Sequence, residues 1–189
     1  MSSRAYADFT REKIIKTAVA ILKQEREFCF TIDHLPSLES FLERYPEESD
    51  YLRGEIKKGR VEIVGPMYTQ ADSLTVGGES LIRQCLYGTK WLKDSWGVRP
   101  SVEWLTDVYG YCNQIPQILK KTGVEYLVVA IWWVRNHREG REYLNKLSPS
   151  WDFIWEGIDS SRIVVHNSSE YGGFFLPGDK YINGCPCPL

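Results

Sequence analysis

Asp107 sits where an apolar extended run gives way to a glycine turn and then a helix. The stretch is Ser101-Val102-Glu103-Trp104-Leu105-Thr106-Asp107-Val108-Tyr109-Gly110-Tyr111-Cys112-Asn113-Gln114-Ile115-Pro116-Gln117-Ile118-Leu119. Val102, Trp104 and Leu105 lie between Pro100 and Gly110, so the spacing predicts a short strand. Asn113 suits an N-cap, and Pro116 is tolerated in a first helical turn, whose N–H groups have no partners. Asp107 therefore falls at the carboxyl end of a strand, the edge at which βα units bind ligands and do chemistry. A carboxylate there can act as a nucleophile, a metal ligand or a turn-capping acceptor. Asp33-His34 ends an earlier apolar run and offers an oxygen and a nitrogen ligand, but a turn or helix entry just before Pro36 is the favoured account of the pair. His137 and His166 have no ligand spacing, and Cys185-Pro186-Cys187-Pro188 lacks the second thiol pair that a metal clip needs.

The elements that must position these groups follow from periodicity. Thr10 to Gln24 reads as an amphipathic helix with Ile15, Ala18, Val19 and Leu22 on one side. Phe28 to Ile32 reads as a buried strand, followed by a helix from Pro36 that carries Leu38, Phe41, Leu42 and Tyr45. A further helix after Pro46 reaches Lys57-Lys58 and stops at Gly59. Val61 to Val64 is the next strand, and a loop through Asp72 and Gly77-Gly78 leads to a helix from Glu79. That helix is expected to turn Ile82, Cys85, Leu86, Leu92 and Trp96 inward and to end at Gly97. The Asp107 unit follows, then a Val-rich strand from Glu125 to Ile131, and two strands at Trp151–Trp155 and Arg162–His166 joined through Gly157 to Ser161. Strands alternating with helices in this way predict an α/β fold built on parallel strands with right-handed crossovers. A complete (β/α) barrel takes about 250 residues. The 189 residues here predict an incomplete barrel that lacks its first strand and its later ones. Residues 1–170 are expected to form the domain, and 171–189, rich in Gly and Pro, an irregular tail.

Composition narrows the classes. A net charge of −2 leaves no basic excess to neutralise phosphates, which excludes a nucleic-acid partner. No apolar run reaches membrane-spanning length, and Met1 leads into Ser-Ser-Arg and not into a signal-peptide pattern. The cysteines (Cys29, Cys85, Cys112, Cys185, Cys187) form no framework. Cys29 and Cys85 lie within apolar patterns and read as reduced core thiols, which suits a cytoplasmic address.

Trp104-Leu105-Thr106-Asp107-Val108-Tyr109-Gly110-Tyr111, followed by Pro116-Gln117-Ile118-Leu119, resembles the strand-to-helix signature of glycoside hydrolase family 38, the class II α-mannosidases. Arg60 to Gly65 with Asp72, Gly78 to Gln84, and Trp155 to Ile163 resemble the segments around it, so the likeness covers roughly residues 10–170. The resemblance implies retaining hydrolysis of an α-mannoside through a covalent glycosyl-enzyme, with one carboxylate attacking and another protonating the leaving oxygen. It implies zinc as cofactor. By the same resemblance Asp107 matches the nucleophile and is also a zinc ligand, Tyr109 matches an aromatic lining the sugar subsite, and Asp72 matches an acidic loop position. One of Trp132 and Trp133 could stack on a sugar ring, since adjacent strand residues face opposite sides; Trp132 is taken as the substrate-binding one.

Parts of the family's pattern are missing. No His-x-Asp strand, which supplies two zinc ligands in the family, precedes the Thr10 helix. The family's general acid and final zinc-binding His fall beyond Leu189, and its basic strand-end residue falls near Ile131, leaving Arg135 as a substitute. The isolated chain is thus expected to be inactive by itself. Two other readings stay open: a non-catalytic carbohydrate-binding remnant, and a metal-dependent carbohydrate deacetylase, although the latter's Asp-Asp pair and His-x-x-x-His helix are absent.

Overall fold

In the computed structural model the described residues are Ala5 and 8–106, 108–130 and 152–167. Asp107, Ile131 to Trp151 with Trp132, Trp133, Arg135 and His137, and the tail from Ser168 lie outside them. Thr10–Ile15 forms a π-helical turn that runs into α1 (Lys16–Gln24). In chain order there follow β1 (Phe30–Ile32), α2 (Leu35–Arg44), α3 (Ser49–Lys57), β2 (Val61–Ile63) and α4 (Gly78–Trp96). Then come β3 (Val102–Leu105), α5 (Ile115–Lys121), β4 (Tyr126–Val129), β5 (Asp152–Glu156) and β6 (Arg162–Asn167).

β1 and β2 pair in parallel, with Phe30 opposite Val61 and Ile32 opposite Ile63. β3, β4 and β6 also pair in parallel, with Leu105 opposite Val129 and Val129 opposite Asn167. The two groups meet where the Gly65 N–H donates to the Val102 carbonyl at 2.7 Å. β5 lies on the outer side of β6 and runs antiparallel to it. A turn as short as Gly157 to Ser161 can only return the chain antiparallel, because a parallel partner needs a crossover. The described sheets are open and not closed on themselves.

Helices cover one face of this sheet. Glu103 and Leu105 on β3, Leu127 and Val129 on β4, and Ile163 and Val165 on β6 all turn to the same buried side. There the apolar ones meet Leu81 and Cys85 of α4 and Ile115, Ile118 and Leu119 of α5. A second cluster joins Ile32, Val61 and Ile63 to Val19 and Leu22 of α1, Leu38 and Phe41 of α2, Leu52 of α3 and Leu92 of α4. α4 therefore spans both clusters. On the opposite sheet face Trp104 and Val128 are half-buried, and Val164 and Ile154 are exposed.

Some local expectations change. The inward stripe of α4 is Leu81, Cys85, Gly88 and Leu92, while Ile82 and Leu86 are exposed. Gly88 sets this rotation: a Cβ there would lie 2.0 Å from the Pro66 carbonyl oxygen, so the helix presents its residue without a side chain to the loop after β2. α5 begins at Ile115 with Gln114 before it, and neither Asn113 nor Gln114 caps it through a side chain. Cys29 precedes β1 and is exposed; Cys85 is buried.

Candidate functional site

β1 and β2 point the same way, as do β3 and β4, and the segments that leave the two pairs meet through side-chain hydrogen bonds. Asp33 follows β1, and its Oδ2 accepts a hydrogen bond from Gln70 Nε2 at 2.8 Å. Burial raises the Asp33 pKa above the usual carboxylate range, with its own backbone, His34 and the Gln70 amide pulling the other way. Burial also lowers the neighbouring His34, whose Nδ1 lies 2.7 Å from Ser37 Oγ at the entry to α2.

The loop between β2 and α4 holds the turn after β3. Asp72 Oδ1 accepts the Tyr109 N–H at 2.9 Å, and Ser73 Oγ accepts the Cys112 N–H at 2.9 Å. The Asp72 carbonyl accepts from both the N–H and the hydroxyl of Thr75, each at 2.9 Å, which fixes the loop's own bend. Gly110 has φ +110°, a backbone conformation that favours glycine. Tyr111 Oη donates to the Leu105 carbonyl at 2.7 Å and its ring meets Trp155 edge-on at 6.3 Å. The Tyr109 side chain is 84% exposed. A hydrogen-bonded backbone with an exposed aromatic ring suits stacking against the apolar face of a ligand.

The structure thus joins Asp72 to Tyr109 directly and places Gln70, the partner of Asp33, two positions before Asp72. Asp107 is covalently next to Thr106 and Val108, both half-buried, but itself lies outside the described residues, as does Trp132. His166 lies in β6 with Nδ1 2.6 Å from Asp152 Oδ1 across the hairpin, an exposed strand pair.

Two contributors escaped the sequence reading. Ser73, 4% exposed, carries no pattern that could have announced it. Glu103 does: it shares strand parity with Leu105 and so belongs to the buried face. It is 2% exposed, and its oxygens accept the Met67 N–H at 3.2 Å and the Trp104 N–H at 3.1 Å. Burial pushes its pKa up to about 8, the two N–H groups oppose that, and the charge of Asp33 adds to it. Cys85, buried beside it, is pushed up to about 12, again chiefly by burial.

A family model described as the N-terminal domain of glycosyl hydrolases family 38 matches residues 5–177. Alpha-mannosidase 2C1 of Mus musculus is 31% identical over 166 residues, which cover 87% of this chain and 14% of that protein. Alpha-mannosidase G of Dictyostelium discoideum is 29% identical over 176 residues, covering 91% of this chain and 15% of that protein. Among solved structures, an alpha-mannosidase from Enterococcus faecalis superposes with a TM-score of 0.75 at 19% identity, over 92% of this chain and 19% of that one. A 4-alpha-glucanotransferase from Thermococcus litoralis superposes with a TM-score of 0.68 at 20% identity, over 88% of this chain and 25% of that one. The chain therefore spans about one seventh of the curated relatives' length, and the structural likenesses speak for the fold alone.

Proposed function

The chain belongs to glycoside hydrolase family 38, and from that premise we propose that it is part of a retaining glycosidase acting on an α-mannoside. The observation that carries this reading is the match over residues 5–177, which takes in Asp107 together with the Tyr109–Cys112 turn that Asp72 and Ser73 hold. Asp107 is the proposed nucleophile, and Tyr109 the proposed aromatic wall of the sugar subsite. Asp72 serves that subsite by holding the Tyr109 backbone. Trp132 is proposed as a further stacking residue. The described sheet is read as one part of a (β/α) barrel that further chain completes.

Within these residues the reaction has one carboxylate of its two. Attack on the anomeric carbon needs a carboxylic acid on the leaving-group side, and that acid is proposed to come from chain outside this sequence. The residues present do not fit zinc on their own. Among the described residues no three His, Cys, Asp or Glu side chains come together to hold a metal, and Asp107 could add one ligand where catalytic zinc takes three. Zinc is proposed only where additional chain brings further ligands. A cytoplasmic setting is proposed as well, in keeping with the free thiols of Cys29, Cys85 and Cys112.

The test uses two proteins and an aryl α-mannoside. The 189-residue chain alone should show no hydrolysis above background, with or without zinc. A protein extended at both ends to the length of the relatives should turn over with retention at the anomeric carbon, and Asp107→Asn in it should abolish turnover. Hydrolysis that survives Asp107→Asn would overturn the assignment. Mannoside binding by the extended protein without hydrolysis would favour the non-catalytic carbohydrate-binding reading.

A further inference from the structure

Glu103 takes no part in the chemistry proposed above, yet it is an ionisable group sealed in the core. Burying a carboxyl is costly unless hydrogen bonds compensate, and both of its oxygens are engaged, one by its own strand and one by Met67. The space for it exists because residue 65 is glycine. A Cβ on Gly65 would lie 2.5 Å from Glu103 Oε1, and Gly65 has φ +81°.

The segment from Gly65 to Thr69 is anchored along its whole length. The Gly65 N–H donates to the Val102 carbonyl at 2.7 Å, and the Pro66 carbonyl lies against Gly88. The Tyr68 N–H donates to the Gln84 carbonyl at 3.2 Å, and the Thr69 N–H to Gln84 Oε1 at 3.0 Å. Of these anchors, the Glu103 carboxyl is the one that ties the segment to β3 through a side chain. β3 is also the strand that precedes the Tyr109–Cys112 turn. Immediately beyond the anchored segment come Gln70, Asp72 and Ser73, which reach Asp33, the Tyr109 N–H and the Cys112 N–H.

We infer that Glu103 is a positioning residue of the candidate site: by seating Met67 against β3 it sets where Asp72 and Ser73 hold the Tyr109–Cys112 turn. The inference rests on the reading of that turn as the sugar-facing part of the site. Its mechanics do not depend on the reaction. An apolar residue of similar size would satisfy the core equally well but would accept nothing from Met67.

Amide hydrogen exchange on the 189-residue chain tests this, with rates at Tyr109 and Cys112 referred to those of the β4 amides in the same sample. Glu103→Gln keeps an acceptor for the Met67 N–H and should leave both ratios within about threefold of wild type. Glu103→Leu fills the space without accepting, and should speed exchange at both positions about tenfold relative to β4, the equivalent of one buried hydrogen bond. Unchanged ratios in Glu103→Leu, or equal loosening by Gln and Leu, would overturn the inference.

If Glu103→Leu does not fold, wild type carries the test. The side-chain carboxyl carbon of Glu103 is followed by NMR across pH, together with those of Asp33 and the thiol-bearing carbon of Cys85, the titratable groups whose charges couple to it. The Met67, Tyr109 and Cys112 amide resonances should move with the Glu103 midpoint. A Glu103 titration that leaves Tyr109 and Cys112 still would overturn the inference. No substrate enters either measurement, so failure of the mannosidase reading would leave these results unaffected.

Discussion

The Asp72 carboxylate accepts the backbone N–H of Tyr109 at 2.9 Å across 37 positions of chain. One oxygen thereby joins the loop after β2 to the turn after β3, while the Tyr109 ring remains open to solvent. Asp72 thus holds the Tyr109 backbone while leaving its ring exposed.

Removing that acceptor should loosen the turn without touching the core. Asp72→Ala is expected to lower unfolding free energy by about 1 kcal/mol, the usual net worth of a hydrogen bond. Asp72→Asn keeps an amide oxygen and should recover most of the loss. Urea denaturation of the two variants decides it; equal losses would mean that charge, and not the bond to Tyr109, is what matters.

Tyr109→Ala should separate binding from stability. With the side chain 84% exposed, its loss should change unfolding free energy by less than about 0.5 kcal/mol. In the extended protein, the same change should raise the KM for an aryl α-mannoside several-fold, because a stacking surface is gone. A large drop in thermal stability would show that the ring packs where the structure leaves it free.

Glu103 predicts how stability varies with pH. Its native pKa of about 8 lies above the unfolded glutamate value of about 4.3. Between those values the folded chain holds a proton that the unfolded chain has released, so raising pH favours unfolding. Its contribution is fully present below the unfolded pKa and is lost as pH rises to about 8, with a slope approaching ~1.4 kcal/mol per pH unit. Asp33, also raised, acts in the same direction at lower pH, while His34, lowered by burial, opposes it as pH rises toward the ordinary histidine value. Urea midpoints of wild type should fall from about pH 6.5, above which His34 no longer opposes, to about pH 8, and Glu103→Gln should flatten that decline. A wild-type midpoint that rises over this range would contradict the assignment.

Two glycine-to-alanine changes within helices should have opposite signs. Gly54 in α3 has nothing within 4 Å of where a Cβ would sit. Gly54→Ala should therefore stabilise by roughly 0.5–1 kcal/mol through the entropy of the unfolded chain. Gly88→Ala drives a methyl into the Pro66 carbonyl and should destabilise by about 1–3 kcal/mol or more. Thermal unfolding of both proteins checks the pair. Similar shifts would mean that the loop after β2 does not press on α4.

The amino-acid sequence by itself was enough for the element order, because strand and helix periods are local properties. Val61 to Ile63, Val102 to Leu105 and Tyr126 to Val129 read as strands from their own residues, and Gly59, Gly97 and Gly123 mark helix ends with φ of +74°, +67° and +92°. It also located the turn after β3 and its glycine, since Gly110 at φ +110° is a backbone requirement visible in one residue type. Tertiary structure alone decided which side of each element meets which neighbour. Helical spacing in α4 allows a stripe through Ile82 and Leu86 as readily as one through Leu81 and Cys85; the Pro66 carbonyl against Gly88 selects the second. Strand parity puts Glu103 on the buried face with Leu105, but its space and its donor come from Gly65 and Met67, far away in sequence. The bonds from Asp72 to Tyr109 and from Ser73 to Cys112 span 37 and 39 positions. Such contacts leave no periodic trace, because they depend on where two loops are carried by the strands beneath them and not on any residue beside them in the chain.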